Sequence, residues 1–260
     1  MQLLAEQIQV GYGDTPIVHG MDISFPQGKI TTIIGSNGCG KSTLLKAITR
    51  IIPHQDGSVL LDGANIRSMD TKALARKMAI LPQTQDSANG LLVGELVAYG
   101  RFPYQKGFGR LSAEDRRMVD WALEATRMDE FHDRPVDALS GGQRQRAWIA
   151  MALAQDTGII FLDEPTTYLD MAHQLEVLEL LQKLNREEGR TIVMVLHDLN
   201  QAARFSDHLI ALSAGRLIKS GPPEEVLVPD VLKDVFRIDA VIGKDPRTGT
   251  PFCMTYDLIK

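Results

Sequence analysis

The stretch GSNGCGKST, at positions 35–43, restricts the possible folds of this chain more than any other part of it. It matches G-x-x-x-x-G-K-[ST] and joins KITTIIG (29–35), a short run typical of a buried strand, to KSTLLKAITRII (41–52), whose apolar residues have helical spacing. A glycine-rich turn between a strand and a helix points backbone N–H groups at phosphate oxygens, and the helix dipole adds to the attraction. The stretch therefore predicts a nucleotide-binding site on an α/β fold, and we call it the P-loop.

Individual residue types in the P-loop indicate individual roles. Lys41 supplies a positive charge for the β- and γ-phosphates, the Ser42 hydroxyl can ligate Mg²⁺, and Thr43 is placed to reach the α-phosphate. The remaining candidate nucleotide contacts are Gly35, Ser36, Asn37, Gly38, Cys39 and Gly40. Cys39 is expected to be chemically inert, although alkylation there should block the nucleotide.

A second motif ends a buried strand. In GIIFLDEP (158–165), four apolar residues precede Asp163 and Glu164. A carboxylate at a strand end can hold Mg²⁺ through water, and its neighbour can accept a proton from an attacking water. Asp163 is therefore the predicted metal-side residue and Glu164 the predicted general base. Many enzymes with a P-loop share this much, so the pair does not specify a function.

A second helix start also has the features of an anion site. In LSGGQ (139–143), which we call the signature loop, Ser140 is a good N-cap and Gly141 and Gly142 expose backbone N–H groups. The helix predicted from about Gln143 directs its positive end at the same place. Unlike the P-loop, this loop has no lysine and no strand leading into it.

The P-loop, the acidic strand end and the signature loop together resemble the motifs of ABC-transporter nucleotide-binding subunits. The resemblance covers nearly the whole chain and implies an α/β fold: a P-loop NTPase (RecA-like) core, an N-terminal antiparallel β subdomain and an inserted α-helical subdomain. It also implies a head-to-tail homodimer in which each signature loop contacts the γ-phosphate of ATP bound by the other subunit's P-loop. The second anion site would thus serve the neighbouring chain.

Domain boundaries follow from where the pattern changes. Between residues 90 and 138 the helical patterns are separated by Gly and Pro, whereas strand patterns such as TIVMVLHD (191–198) occur after the signature loop. We expect an ABC ATPase domain over 1–222, with its core in 1–89 and 156–222, its helical subdomain in about 90–155, and a C-terminal extension over 223–260 packed on the core.

The resemblance assigns further positions. It places Tyr12 against adenine and His197 on the γ-phosphate, while the other five histidines receive no role. It matches Gln83 to the glutamine that links Mg²⁺ and the attacking water to the helical subdomain, with Gln85 as a nearby competitor that fits less well. The implied metal ligands are thus Ser42, Gln83 and Asp163, and the implied catalytic residues are Glu164, His197 and Gln83.

The segment TYLD (167–170) corresponds to a loop at the dimer contact, where Asp170 takes part. The family more often has a small residue at the position of Tyr168. With the signature-loop residues, including Gln143, Asp170 completes the implied nucleotide-binding set.

Two longer segments, AYGRFPYQKGFGRLSAEDRRMVDWAL and DEPTTYLDMAHQLEVLELL, resemble ATPase subunits of ferric-siderophore importers, with cobalamin and haem importers close by. This implies two permease subunits, a periplasmic or lipid-anchored binding protein, and a peripheral position on the cytoplasmic face of the cell membrane. The longest fully apolar stretch is AWIAMALA (147–154), far short of the roughly 20 residues of a membrane span.

A soluble ABC ATPase of DNA repair, translation or cluster assembly is the alternative from another class. The compact spacing without sustained heptads disfavours a repair protein, and the 260 residues hold one cassette rather than two. The net charge of −5 gives no global basic field for nucleic acid.

Overall fold

The computed structural model describes residues 1–13, 15–83, 90–105, 110–167 and 169–259, so Gln85 and Tyr168 lie outside the described residues. The chain divides into unit 1, Met1–Ser68 with Thr191–Lys260, and unit 2, Met69–Arg190. The strands are β1 (Leu3–Tyr12), β2 (Thr15–Phe25), β3 (Ile30–Gly35), β4 (Asp56–Leu61), β5 (Ala64–Asn65), β6 (Met78–Leu81), β7 (Ile159–Asp163), β8 (Thr191–Val195), β9 (His208–Ser213), β10 (Arg216–Gly221), β11 (Ile238–Lys244) and β12 (Pro251–Leu258). The α-helices are α1 (Lys41–Ile48), α2 (Thr71–Ala75), α3 (Val93–Ala98), α4 (Ala113–Ala125), α5 (Gly141–Ala154), α6 (Met171–Glu188), α7 (Leu199–Phe205), α8 (Pro223–Val226) and α9 (Pro229–Phe236).

A mostly parallel sheet in unit 1 carries the P-loop. β3 lies between β8 and β9 and is parallel to both, and β10 pairs antiparallel with β9. Every residue of β3 is buried, as expected for a strand covered on both faces. The predicted buried strand and the following helix are confirmed, but α1 ends at Ile48 rather than near residue 52, and Arg50 adopts a left-handed backbone with φ of 62°.

The second sheet of unit 1 is antiparallel, with the strand order β2-β1-β4-β5. The register pairs Leu3 with Phe25 on one side of β1 and with Leu61 on the other, and all three side chains are buried. The antiparallel sheet predicted near the N-terminus is therefore confirmed.

The C-terminal residues of unit 1 form elements that the sequence did not reveal. Helices α8 and α9 lead into the antiparallel hairpin β11–β12. Leu227, Leu232, Ile238 and Cys253 pack in one buried cluster with Ala203 of α7. The hairpin is also fixed to α7 by polar contacts, because the Asn200 side chain accepts from the Cys253 N–H at 2.7 Å and donates to the Cys253 carbonyl at 3.2 Å.

Unit 2 combines the parallel pair β6–β7 with helices α2 to α6. Arg101, buried after α3, donates to the Asp115 carboxylate at 2.9 Å and to the Ala154 carbonyl at 2.8 Å, and so connects the first turn of α4 to the last residue of α5. The predicted helical subdomain boundaries of 90–155 stay a prediction. Within the described part of the chain, none of the helices combines the length and hydropathy required to span a bilayer.

Candidate functional site

The P-loop in unit 1 has the backbone of an anion cradle. β3 ends at Gly35 and α1 begins at Lys41, with Gly40 as its N-cap. Gly38 and Gly40 adopt left-handed backbones, with φ of 75° and 102°, which side chains other than glycine rarely tolerate. A Cβ on Gly40 would also lie 3.3 Å from the Ile17 side chain. The loop therefore requires glycine for both its conformation and its packing.

Lys41 is buried, and its ammonium group is held inside the loop. Nζ donates to the carbonyls of Gly35 at 2.9 Å and Ser36 at 3.1 Å. An ammonium group has three N–H donors, so these bonds orient the charge without using all of its donors. The lysine is thus already positioned for a phosphate group at this loop.

Cys39 is buried, and its backbone N–H donates to the Ser36 carbonyl within the loop at 3.3 Å. Burial raises the pKa of its thiol, an effect that the nearby Lys41 charge partly offsets. A Cβ on Gly35 would lie 2.6 Å from Cys39 Sγ, which shows that the sulfur packs against the start of the loop. The site therefore has a thiol that is largely protonated at neutral pH.

Tyr12 and His197 also belong to unit 1. Tyr12 is the last residue of β1 and is 54% exposed. His197 follows β8 by two residues, is exposed, and lines a cleft of about 420 Å³ with Asn200, Phe236 and Tyr256. Asp198, next to His197, caps α7 by accepting from two backbone N–H groups at 2.8 Å each. These bonds fix the backbone of the turn in which His197 lies.

The acidic pair lies at the end of β7 in unit 2. Asp163 is the last strand residue and is 2% exposed, and Glu164 follows in a left-handed backbone with φ of 54°. Glu164 Oε2 accepts from Gln83 Nε2 at 2.7 Å and from the Thr167 hydroxyl at 3.0 Å. The structure therefore brings the predicted general base and the predicted glutamine together across 81 residues of sequence.

Thr167 is a site residue that sequence analysis missed. Its position three residues after Glu164 in a tight turn was the available indication, because a hydroxyl there can reach back to the carboxylate. This bond and the one from Gln83 restrict the orientation of the carboxylate.

Each of the predicted metal ligands carries an oxygen atom of a kind that suits Mg²⁺. Ser42, Gln83 and Asp163 carry hydroxyl, amide and carboxylate oxygens, and the Gln83 amide nitrogen already donates to Glu164, which leaves the amide oxygen as the acceptor end. No group of three or more His, Cys, Asp or Glu side chains in the described ranges could hold a metal by itself. Mg²⁺ that is bound together with a nucleotide usually takes one or two protein carboxylates and completes its shell with phosphates and water.

The signature loop in unit 2 starts α5, a helix of 14 residues, and the predicted N-cap is confirmed. Ser140 Oγ accepts from the Gln143 N–H at 3.3 Å, and Gln143 Oε1 accepts from the Ser140 N–H at 3.0 Å. In this reciprocal cap the Ser140 hydroxyl acts as an acceptor, and its own O–H stays available to donate. Gly141 and Gly142 form the first turn, where backbone N–H groups have no partner within the helix.

Asp170 caps the next helix of unit 2. Its Oδ1 accepts from the backbone N–H of His173 at 3.0 Å and lies 2.8 Å from Nδ1 of the same histidine. Hydrogen bonds from the His173 backbone and side chain lower the pKa of the Asp170 carboxyl. Asp170 therefore holds the start of α6 as a carboxylate.

Known proteins of one family resemble this chain over most of its length. The family model described as ABC transporter matches residues 18–167. The chain is 62% identical over 258 residues to the iron(3+)-hydroxamate import ATP-binding protein FhuC of Bacillus subtilis, which covers 99% of this chain and 96% of that protein.

Two solved structures show the same fold. A metal-chelate type ABC transporter in an inward-facing conformation matches with a TM-score of 0.83 at 26% identity, covering 98% of this chain and 96% of the other. The dimeric structure of the bacterial ABC transporter cassette MJ0796 matches with a TM-score of 0.75 at 29% identity, covering 85% of this chain and 98% of the other. These matches confirm the predicted P-loop NTPase fold.

Proposed function

Because this chain belongs to the ABC transporter family and is one of its ATP-hydrolysing subunits, we propose that it energises uptake of a ferric siderophore through a partner permease. One observation carries the mechanism: two helix starts in the described ranges have the features of an anion site, one with a buried lysine in unit 1 and one without any lysine in unit 2. The similarity to an iron(3+)-hydroxamate import protein over nearly the full length supports the substrate class.

In this proposal the residues of unit 1 bind ATP. The exposed ring of Tyr12 stacks on adenine, and backbone N–H groups of the P-loop enclose the phosphates. Lys41 keeps its ammonium group at the β- and γ-phosphates because two carbonyls orient it. His197 donates to the γ-phosphate, and Thr43 reaches the α-phosphate.

The predicted metal ligands and the predicted base carry out hydrolysis in this proposal. Ser42, Gln83 and Asp163 would hold Mg²⁺, and the ion would supply positive charge to neutralise the charge that develops on the phosphates. Glu164 accepts a proton from the attacking water, and the hydrogen bonds from Gln83 and Thr167 keep its carboxylate in one orientation. Because Gln83 donates a hydrogen bond to Glu164, its position would change when the γ-phosphate is lost.

The signature loop acts on the other subunit's nucleotide. Cassettes of this family dimerise and act with a transmembrane permease. We place the Ser140 hydroxyl and the N–H groups of Gly141 and Gly142 on the partner's γ-phosphate, with Gln143 fixing the cap and Asp170 at the dimer contact. Loss of the γ-phosphate removes contacts made only in the closed dimer, so hydrolysis opens it.

The surface that meets the permease is proposed to lie after α3. Tyr99 and Phe102 are 56% and 62% exposed there, whereas the neighbouring Arg101 is buried in its ion pair with Asp115. Exposed aromatic side chains at a rigid, well-anchored position suit a protein interface. The complex would sit on the cytoplasmic face of the membrane, with a binding protein on the opposite side delivering the siderophore.

The shared site is tested with Ser140→Asp. Aspartate caps helices about as well as serine, so α5 should keep its start, but a carboxylate cannot donate to phosphate and repels it. We expect unchanged thermal stability and almost no ATP hydrolysis. Mixing this variant with Lys41→Met should restore hydrolysis, because mixed dimers then hold one intact P-loop opposite one intact signature loop. Full activity of Ser140→Asp as a monomer would contradict the proposal.

The substrate class is tested by uptake. Cells that carry Glu164→Gln in place of the natural chain should lose uptake of radiolabelled iron(3+)-hydroxamate complexes and keep uptake of cobalamin and haem. Loss of cobalamin or haem uptake with normal uptake of the iron complex would contradict ferric-siderophore import and leave the ATPase mechanism intact.

A further inference from the structure

We propose that His173 is a positioning residue that fixes the signature loop relative to Asp170, and thereby sets the rate of ATP hydrolysis at the partner's nucleotide. The sequence motifs assign no role to this histidine. The inference rests on the proposed function, because it assumes that the signature loop acts on ATP. Through His173, the signature loop at the start of α5 would be linked to the start of α6 within unit 2. These two segments are about thirty residues apart in sequence.

One side of the link is a hydrogen bond. His173 Nδ1 lies 2.8 Å from Asp170 Oδ1, and the same oxygen accepts the His173 backbone N–H at 3.0 Å. Two contacts to one carboxylate oxygen fix both the first turn of α6 and the plane of the imidazole ring. The ring therefore has a defined orientation although 40% of its side-chain surface is exposed.

The other side of the link is a close contact with Gly142. A Cβ added there would lie 2.8 Å from His173 Cδ2, 3.1 Å from Cγ and 3.3 Å from Nε2. Three ring atoms within this range mean that the imidazole packs against the Gly142 backbone. The first turn of α5 thus rests on a ring that Asp170 holds in place.

This contact gives a reason for glycine at position 142 that is separate from phosphate binding. Gly142 lies in α5 without a positive φ, a backbone that alanine adopts well and in which alanine favours the helix by up to about 1 kcal/mol. What opposes alanine at position 142 is the lack of space beside the His173 ring, because a Cβ would displace the ring and break its bond to Asp170. At Gly141, by contrast, a Cβ meets no atom within 4 Å.

The expected effect is on turnover rather than on ATP affinity. ATP is bound by the P-loop of the partner, whereas the signature-loop N–H groups act on the γ-phosphate and need placement within about 0.5 Å to stabilise charge well. A loop without its supporting ring should therefore lower kcat and leave KM for ATP nearly unchanged. A histidine that only stabilised the fold would not produce that split.

The test uses the full-length chain and three variants. His173→Ala removes the ring and the hydrogen bond, and we expect a kcat about tenfold lower, the size of effect that one lost hydrogen bond with its packing commonly has. His173→Asn keeps a side-chain nitrogen near Nδ1 and should recover most of this loss. Gly142→Ala in the natural background should lower kcat at least as much as His173→Ala.

The double variant Gly142→Ala with His173→Ala tests whether the added methyl group acts by displacing the His173 ring. If the methyl group acts by displacing the ring, its effect disappears once the ring is gone, and the double variant should have the kcat of His173→Ala alone. If the two losses multiply instead, the contact does not carry the effect and the inference is wrong. An unchanged kcat for His173→Ala would also overturn it.

The chain offers a matched control in His132. This histidine of unit 2 also pairs with a neighbouring aspartate, at 2.7 Å from Asp133, and its ring also packs against a glycine, Gly94. His132→Ala should keep kcat for ATP within about twofold, a change near the usual spread of surface substitutions. A tenfold loss there would show that removing any such histidine slows turnover, which would overturn the specific role of His173.

Failure of this inference differs from failure of the proposed function. If Ser140→Asp is inactive but the Gly142 and His173 losses multiply, the shared site stands and only the positioning role falls. If Ser140→Asp hydrolyses ATP fully as a monomer, the signature loop does not act on a partner's ATP, and the basis of the inference falls with it.

Discussion

Replacing Glu164 with glutamine tests the assignment of the general base with little disturbance of the structure. Glutamine has nearly the same shape, and its amide oxygen can accept the bonds that Glu164 Oε2 receives from Gln83 at 2.7 Å and Thr167 at 3.0 Å. The left-handed backbone at this position is no harder for glutamine to adopt. The change therefore removes the proposed proton acceptor and keeps its surroundings.

The expected loss follows from the role of the carboxylate. A positioned general base contributes about 10²- to 10⁴-fold, so kcat should fall by that factor, which raises the barrier by about 3–5 kcal/mol. ATP binding should persist because the P-loop is unchanged, and the variant should accumulate as an ATP-bound dimer. Phosphate release measures the fall in kcat, and size-exclusion chromatography in the presence of ATP measures the accumulation of the dimer.

A second substitution distinguishes the loss of the base itself from the loss of its fixed orientation. Thr167→Val removes one hydrogen bond to Glu164 and keeps the carboxylate, so we expect a loss of about tenfold rather than a thousandfold. Phosphate release from Glu164→Gln within twofold of the natural chain would refute the assignment, as would a larger loss from Thr167→Val than from Glu164→Gln.

Three further results are expected. Tyr12→Ala should weaken ATP binding about tenfold in calorimetry and Tyr12→Phe should not, because stacking needs only the ring. Arg101→Met should lower the free energy of unfolding in urea by about 3–5 kcal/mol, since it leaves Asp115 buried without its cation, and adding Asp115→Asn should recover part of this. Because burial raises the pKa of the Cys39 thiol, its alkylation in a Cys253→Ala chain should be slower than in urea and accelerate as pH rises toward that pKa; equal rates at pH 8 would refute this.

The parts of the fold and site that could be predicted are those that short stretches of sequence determine. β3 and β7 are continuous apolar runs, the P-loop is a fixed spacing of glycines, and the Ser140 cap needs only the residues from 140 to 143. In each case the residues that make the structure are neighbours in the chain. Local patterns therefore suffice to predict that these features exist, although α1 ends a few residues earlier than its apolar pattern predicts.

Other features depend on distant contacts. β6 has only four residues and is defined by its pairing with β7, about eighty residues later. The hairpin β11–β12 contains a register shift between Val241 and Ile242 that breaks its alternation, and its buried side chains pack on α7. The bond between Gln83 and Glu164 and the contact between Gly142 and His173 likewise join segments that no local pattern relates.

The two predicted anion sites differ in the hydrogen bonds that their own side chains make within the chain. The Ser140 hydroxyl already accepts from the Gln143 N–H as a cap, so its donor can reach a phosphate without any bond being broken. Lys41 instead donates to two carbonyls of its own loop, and phosphate must share its ammonium group with them. The P-loop combines a lysine charge with left-handed glycines, whereas the signature loop offers only oriented dipoles. In the proposed mechanism, the dipoles of the signature loop add to the binding of a nucleotide that the partner's P-loop already holds, so ATP binds first and dimer closure follows.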